Sequence, residues 1–439
     1  MAAAENAPEN RKRVLSGMRP TGRLHIGHYF GALQNWIRLQ NDPQYECFYF
    51  IADWHALTTD YADTSFVAQN TIEIATDWLA AGLDPEKCTF FVQSSVPEHA
   101  ELNLLLAMIT PKGYLENVPT YKDTIRNRQD IYLHTYGFLG YPVLQTADIV
   151  MYGEPNTELV VPVGEDQAAH VELGREIVHR FNTFYGLDIT EEFFRLESRR
   201  ALVTAFKALE NPFLASTAEK IIREKGAFSA EDRAYVLSAV RKAAIEVGVK
   251  NFLSQFNSDE RRFIRFSEKL REPEVMLTHT PRIPGLDGRK MSKSYGNAIM
   301  LSESDDDIRK KTKVMVTDPA RKRRTDPGNP DICPVYDWHK LFSPPPTLQW
   351  AADGCRSAGI GCIECKMAMD DNLIKWIAPV RARREEYAAH PDRVLRILDD
   401  GSTKAHEVAQ KTMARVREAV FNWKEKRAEV AAPRVVGKS

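Results

Sequence analysis

The chain has 439 residues, 43% of them hydrophobic and 10% aromatic, enough to bury more than one core; an intrinsically disordered chain is excluded, and the length favours two or three domains. Its 59 Lys and Arg stand against 60 Asp and Glu, a net charge of -1, so no global field draws it to nucleic acid or to a membrane, and such a partner must be met by a local patch. The start, MAAAENAPENRKR, is polar, and no apolar run approaches the roughly 18 residues of a membrane helix, which reads as a soluble, cytoplasmic protein with no membrane partner.

From Arg13 to about Asn182, short β-branched or aromatic runs (VLSG, CFYFIAD, TFFVQS) alternate with helical-period stretches (ALQNWIRLQ, FVAQNTIEIATDWLAAGL, HVELGREIVHRF). Strand then helix, repeated, predicts an α/β fold on a parallel sheet. Between about Thr190 and Glu272 the pattern turns helical and mixed in charge, with AEKIIREKG and EDRAYVLSAVRKAAIEVG as amphipathic stretches and SAEDRAYV starting like an N-cap, which predicts an inserted helical module. Residues 273–300 return to loop and strand signals in HTPRIPGLDGRKMSKSYGN, and SESDDDIRKKTK then reads as a helix start. A basic, Pro-rich stretch, DPARKRRTDPGNPDICP, leads into a cysteine region and long charged helices; both ends, up to about Asn10 and after about Val430, read as frayed tails.

Residues 17–33, GMRPTGRLHIGHYFGAL, follow the first strand and run into a helical pattern. Their glycines allow a tight turn and a close approach of backbone to ligand, and the following helix offers phosphate a positive end. The string is neither a dinucleotide G-x-G-x-x-G nor a Walker loop, which argues against hydride transfer and ordinary P-loop hydrolysis. His25 and His28 stand three apart on one face; alone, such a pair is more often structural than catalytic. The second segment is KMSKS: Lys290, Met291, Ser292, Lys293 and Ser294, in a Gly- and Pro-flanked loop. Lysines on a mobile loop can follow charge as it develops on a transferring phosphoryl group, whereas alone they read as a solvated cluster.

Together the two strings resemble the HIGH and KMSKS signatures of class I aminoacyl-tRNA synthetases, letter for letter and in the right order. The resemblance implies a Rossmann-like catalytic domain that forms an aminoacyl-adenylate from ATP with Mg²⁺ and passes the acyl group to tRNA. His25, His28, Lys290 and Lys293 would be the catalytic groups. Arg19, Pro20, Thr21, Gly27, His28, Gly164, Glu165, Asp166, Ile283 and the whole KMSKS string would hold ATP. The amino acid is read from the segments between: YPVLQTADIVMY, VPVGEDQAAHVELGREIVHRFN, FIADWHALTTDY and FFVQSSVPEHAELNLLLAMITPKGYLE are similar to the tryptophanyl branch. That likeness implies that L-tryptophan is bound by Asp148, Gln145, Gln167 and His55, that tRNA(Trp) is the acceptor, and that the enzyme is a homodimer. Indole has one polar hydrogen, and a buried Asp148 fixed to accept it penalises phenylalanine, which leaves the acceptor unpaired. The plain alternative for Asp148 is a helix-terminal or salt-bridged acid.

There are two departures from the bacterial pattern: Gln145 stands where methionine is usual, and the first motif carries His25 and His28 where T-x-G-N is common. A glutamine can hydrogen-bond a phenol, which keeps tyrosyl-tRNA synthetase as an alternative, and a catalytically inactive synthetase-like RNA-binding protein is another. Intact motifs argue against the latter. The expected division is 1–189 for the catalytic domain, 190–272 for the insertion, 273–310 for the KMSKS region that completes the catalytic domain, and 311–439 for an all-α anticodon-binding domain.

Cys47 and Cys88 sit in apolar strand surroundings and read as buried core. Cys333, Cys355, Cys362 and Cys365 form C-x21-C-x6-C-x2-C, and by ligand count four thiols suit Zn²⁺ and an iron–sulfur cluster equally. Resemblance to bacterial tryptophanyl enzymes of almost this spacing implies a [4Fe–4S] cluster; Zn²⁺ and unligated thiols are the alternatives. Arg321, Lys322, Arg323 and Arg324, four consecutive cations, supply a local basic patch suited to tRNA phosphates, or else a solvated charge run.

Overall fold

The computed structural model describes residues 11–127, 134–194, 228–278 and 283–431. The predicted helix AEKIIREKG and most of both tails lie outside the described residues. In chain order the elements begin β1 (Lys12–Met18), α1 (Ile26–His28), α2 (Gln34–Gln40), β2 (Tyr45–Ile51), α3 (Asp53–Asp60), α4 (Val67–Ala81), β3 (Cys88–Val92) and α5 (Glu98–Ala107). They continue with α6 (Lys112–Glu116), α7 (Pro119–Asn127), α8 (Tyr136–Val150), β4 (Leu159–Val163), α9 (Ala168–Gly186) and β5 (Leu187–Ile189). After these come α10 (Ala230–Val247), α11 (Val249–Ser254), α12 (Ser258–Arg261), β6 (Ile264–Phe266), β7 (Pro273–Leu277) and α13 (Asp305–Lys313). The C-terminal region is helical: α14 (Pro334–Phe342), α15 (Pro345–Arg356), α16 (Cys362–Ala388), α17 (Pro391–Phe421) and α18 (Trp423–Ala431).

The strands form a five-stranded sheet in the order β3-β2-β1-β4-β7, with β2 parallel to β3 (Phe48↔Thr89) and β1 parallel to β4 (Arg13↔Leu159). This is the α/β fold on a parallel sheet that the strand–helix alternation predicts, and the Rossmann-like class that the resemblance implies. The apolar run Cys47–Ile51 is buried throughout, as a strand covered on both faces requires. By internal contacts the chain divides into two compact units, one built from Ser16–Ser95 and Leu277–Ala405, the other from Val96–Met276 and His406–Ser439 with the first residues of β1.

In the first unit Trp36 stacks on Tyr49 with centroids 4.4 Å apart and meets Trp78 edge-on at 5.3 Å, all three fully buried, while the Tyr49 hydroxyl donates to the Trp36 carbonyl at 3.1 Å. α4 ends where Gly82 takes φ +116°, its N–H closing on the carbonyls of Trp78 and Leu79. Strand β3 lies at the end of the sheet order, and α17 covers it: a Cβ at Gly401 would lie 1.6 Å from the Phe90 carbonyl oxygen, so only glycine lets helix backbone meet strand backbone here. α13 starts at Ser304, whose side chain accepts from the Asp307 N–H, as SESDDDIRKKTK predicts.

In the second unit β5 and β6 pair antiparallel (Leu187↔Phe266) beside α10, α11 and α12, around a core that includes Val240, Phe252 and Phe263. Ser229 caps α10 with Asp232 in a reciprocal box, the N-cap predicted from SAEDRAYV. Among the described residues, no helix is long and apolar enough to cross a membrane.

Candidate active site

In the first unit, β1 delivers the chain into a turn over residues 19–24 that is held from three sides. The Arg19 guanidinium donates to Asp60 at 2.9 Å and to the Thr59 hydroxyl, both on α3; the Pro20 carbonyl accepts from Asn70 at 3.1 Å; and Gly22 turns the chain at φ +89°. His25 then caps α1. Its N–H donates to His28 Nδ1 at 3.1 Å, and the two rings lie 3.7 Å apart. Because His28 Nδ1 accepts, the neutral ring carries its hydrogen on Nε2. Burial, reinforced by the Lys293 ammonium, pushes His25 down to about 4; burial, His25 and Lys293 push His28 down to about 3. Both rings are therefore neutral at physiological pH, suited to hydrogen-bonding a polyanion. His25 Nδ1 is buried with no hydrogen-bond partner among the described residues. A Cβ at Gly27 would stand 2.9 Å from the His25 ring and 3.4 Å from Met291 Sδ, so glycine lets the two motifs close on each other. After His28 the helix widens into a π turn, Tyr29–Leu33, before resuming as α2.

The loop bearing KMSKS is held by Asn297. Its amide donates to the Lys290 carbonyl at 3.2 Å and to Asp287 at 2.7 Å, and its carbonyl accepts the Ser292 N–H at 2.7 Å. Lys293 opens a short 3₁₀ turn closed by Gly296 at φ +63°. Its ammonium donates to three successive carbonyls of the turn before HIGH: Thr21 at 2.6 Å, Gly22 at 3.1 Å and Arg23 at 2.9 Å. Burial lowers its pKa below the usual lysine value, with Asp77 opposing. Backbone joins the motifs too, the Ile26 N–H donating to the Ile299 carbonyl at 3.0 Å. Met291 and Ile283 are buried, Lys290 is exposed, and the hydroxyls of Ser292 and Ser294 bond each other at 2.8 Å. The first unit thus gathers Thr21, His25, Gly27, His28, Met291 and Lys293. His55 lies half-buried on α3.

In the second unit, Asp148 is fully buried on α8. His99 of α5 bonds it through Nδ1 at 2.6 Å and bonds the Tyr152 hydroxyl through Nε2 at 2.8 Å. Gln145 is half-buried one turn earlier on α8. Gly164 leads from β4 into the 3₁₀ turn Glu165–Gln167, which runs directly into α9; this start of a long helix is a place for hydroxyl or phosphate oxygens.

Cys333 and Cys355 are buried, and Cys362 and Cys365 half-buried at the start of α16. Burial, then the other three thiols in turn, push Cys365 up to about 12, so the four share one neighbourhood. Among the described residues, no group of three His, Cys, Asp or Glu is arranged to hold a single metal ion. Arg321 behaves unlike its three neighbours in sequence. It is 9% exposed and donates to the carbonyls of Ile360 and, at 3.2 Å, Arg324, with Cys355 beside it, whereas Lys322, Arg323 and Arg324 are exposed. Asn297, His99 and Tyr152 escaped the sequence reading. The YGN that follows KMSKS signals a turn for Asn297, but nothing local marks His99 or Tyr152.

The sequence profile described as tRNA synthetases class I (W and Y) matches residues 7–205 and 245–377. The tryptophan–tRNA ligase of Ralstonia nicotianae is 47% identical over 93% of this chain and 98% of its own length, and that of Thermotoga maritima is 40% identical over the same shares. The chain belongs to the class I tryptophan–tRNA ligases. A tryptophanyl-tRNA synthetase of Campylobacter jejuni, solved with ADP and tryptophan, shares the fold with a TM-score of 0.66 at 27% identity, over 93% of this chain and 99% of that one. As a tryptophan–tRNA ligase the chain is an aminoacyl-tRNA synthetase; the profile alone spans both aromatic amino acids, and the ligase relatives decide for tryptophan over the tyrosine alternative.

Proposed function

We propose that this tryptophan–tRNA ligase joins L-tryptophan to ATP, releasing pyrophosphate, and then passes the tryptophanyl group to tRNA(Trp), with the division of labour that follows. The observation that carries this reading is Lys293, whose ammonium is held by the carbonyls of Thr21, Gly22 and Arg23 in the turn that leads into the HIGH string. In this reading a triphosphate entering with Mg²⁺ competes with those carbonyls for the ammonium. Lys293, joined by Lys290, then follows the charge that builds on the leaving pyrophosphate as the tryptophan carboxylate attacks the α-phosphorus. His25 and His28, uncharged, hydrogen-bond the phosphates, and Arg19, Pro20, Thr21, Gly27, Ile283, Met291, Ser292 and Ser294 complete the nucleotide site. Gly164, Glu165 and Asp166 hold the ribose. Asp148 accepts the indole N–H, with Gln145, Gln167 and His55 around the amino acid.

Residues 311–439 serve as the anticodon-binding domain, with Lys322, Arg323 and Arg324 toward tRNA phosphate. Arg321, buried beside Cys355, belongs to the cysteine site. Four thiols suit a [4Fe–4S] cluster by ligand count, and the spacing C-x21-C-x6-C-x2-C favours it through its resemblance to bacterial tryptophanyl enzymes, with Zn²⁺ as the alternative. Such a cluster would supply a structural cross-link here. A cytoplasmic homodimer follows from the resemblance.

The test is Lys293→Ala. The single-turnover rate of tryptophanyl-adenylate formation should fall about a hundredfold or more, with ATP affinity changed by less than about threefold. Equal losses in both would reduce Lys293 to ground-state binding and overturn its role.

A further inference from the structure

The peptide unit between Arg23 and Leu24 is held at both ends. Its carbonyl accepts from Lys293 Nζ at 2.9 Å, and its N–H donates to Asp77 Oδ2 at 2.6 Å. Asp77, 1% exposed on α4, is itself fixed through Oδ1, which accepts from Arg384 Nε at 2.6 Å. Arg384 forks across α4, its other arm bonding Glu73 one turn earlier, and Glu73 also takes the Arg23 guanidinium at 2.9 Å. Next to it, Arg383 donates to the Ala80 carbonyl at 2.7 Å at the far end of α4. Arg384 belongs to α16, the helix that carries Cys362 and Cys365 at its first turn. A buried ion pair of this kind adds little net stability compared with apolar residues of similar size, so stability gives no reason for it. What it does supply is direction: a carboxylate locked by Arg384 allows the peptide only one orientation, with the Arg23 carbonyl toward Lys293.

We propose that Arg384 and Asp77 are positioning residues for adenylate formation, a relay through which α16, bearing two of the four cysteines, sets the carbonyl cage that presents Lys293 of the KMSKS loop. The proposal rests on the reading of Lys293 given above. Neither residue need touch substrate; each acts through the 23–24 peptide. Loss of Asp77's charge frees that peptide to rotate and leaves Lys293 with an ill-defined resting place. Loss of Arg384 does the same one step further away.

The test is a double-mutant cycle on the full-length protein, read as the single-turnover rate of tryptophanyl-adenylate formation and the ATP dissociation constant. Asp77→Asn keeps the shape and leaves Arg384 paired to Glu73; Arg384→Lys keeps a cation should the first variant melt early. In the natural background each should lower the rate about tenfold with ATP affinity changed less than about twofold, and in a Lys293→Ala background the same substitutions should change it less than about twofold. The same factor in both backgrounds would make the pair a structural support independent of Lys293 and overturn the relay, as would an unchanged rate in the natural background. If Lys293→Ala alone leaves the rate intact, it is the role of Lys293 that falls, and the relay built on it falls too.

Discussion

His25 and His28 illustrate how much one residue's surroundings decide. In open solution each ring would be partly charged near pH 6.5; burial, with the Lys293 ammonium adding to it and His25 adding to it at His28, holds them neutral down to about 4 and about 3. An unfolded chain therefore binds protons at these rings, between pH 6.5 and those values, that the folded chain refuses. Their contribution to stability is complete above pH 6.5 and is lost as pH falls. The midpoint of thermal unfolding should thus drop more steeply between pH 6.5 and 4.5 in the natural protein than in His28→Asn, followed by circular dichroism; parallel curves would show that the rings titrate normally. The letters HIGH and KMSKS were legible because they are contiguous. Asp77 and Arg384 were not, since they stand 307 positions apart and meet only once the chain between them has folded. Nor does a run of four cations disclose that Arg321 is the one taken inside.

At the scale of elements, His99 joins α5 to α8, with Asp148 on one ring nitrogen and Tyr152 on the other. This fixes the Asp148 carboxylate before any amino acid arrives, which is what discrimination by a single hydrogen bond needs, because an acceptor free to rotate pays no penalty for a missing donor. Asp148→Asn should raise the tryptophan KM in pyrophosphate exchange about tenfold or more, worth about 1.4 kcal/mol, while the ATP KM stays within about twofold. An unchanged tryptophan KM would return Asp148 to a purely helix-bridging role. Strand–helix alternation was readable from β1 to α9 because apolar period changes sharply between elements. The link between α5 and α8 was not, because it depends on tertiary placement of a histidine whose local sequence, PEHAEL, looks like any exposed helix start.

For the whole molecule, the proposed cysteine site is tested by its metal content. Anaerobically purified protein should carry about four irons per chain and a brown absorbance, and chelation should bleach it and lower the unfolding temperature. One colourless zinc per chain would decide for the alternative ion. The near-neutral charge followed from counting residues, and the α/β class with its parallel sheet from counting periods. The Asp77–Arg384 pair and the seating of α17 did not, since each is an agreement between segments written far apart.

That seating has a consequence in time. β3 leaves the ribosome early, with the Phe90 carbonyl along its outer rim, while Gly401 is made some three hundred residues later. A slide of one residue along α17 would present Asp400 or Ser402, neither of which fits against bare backbone. α17 therefore has a single berth, and a nascent sheet must wait, uncapped along that rim, until the residues that separate β3 from Gly401 have all been made.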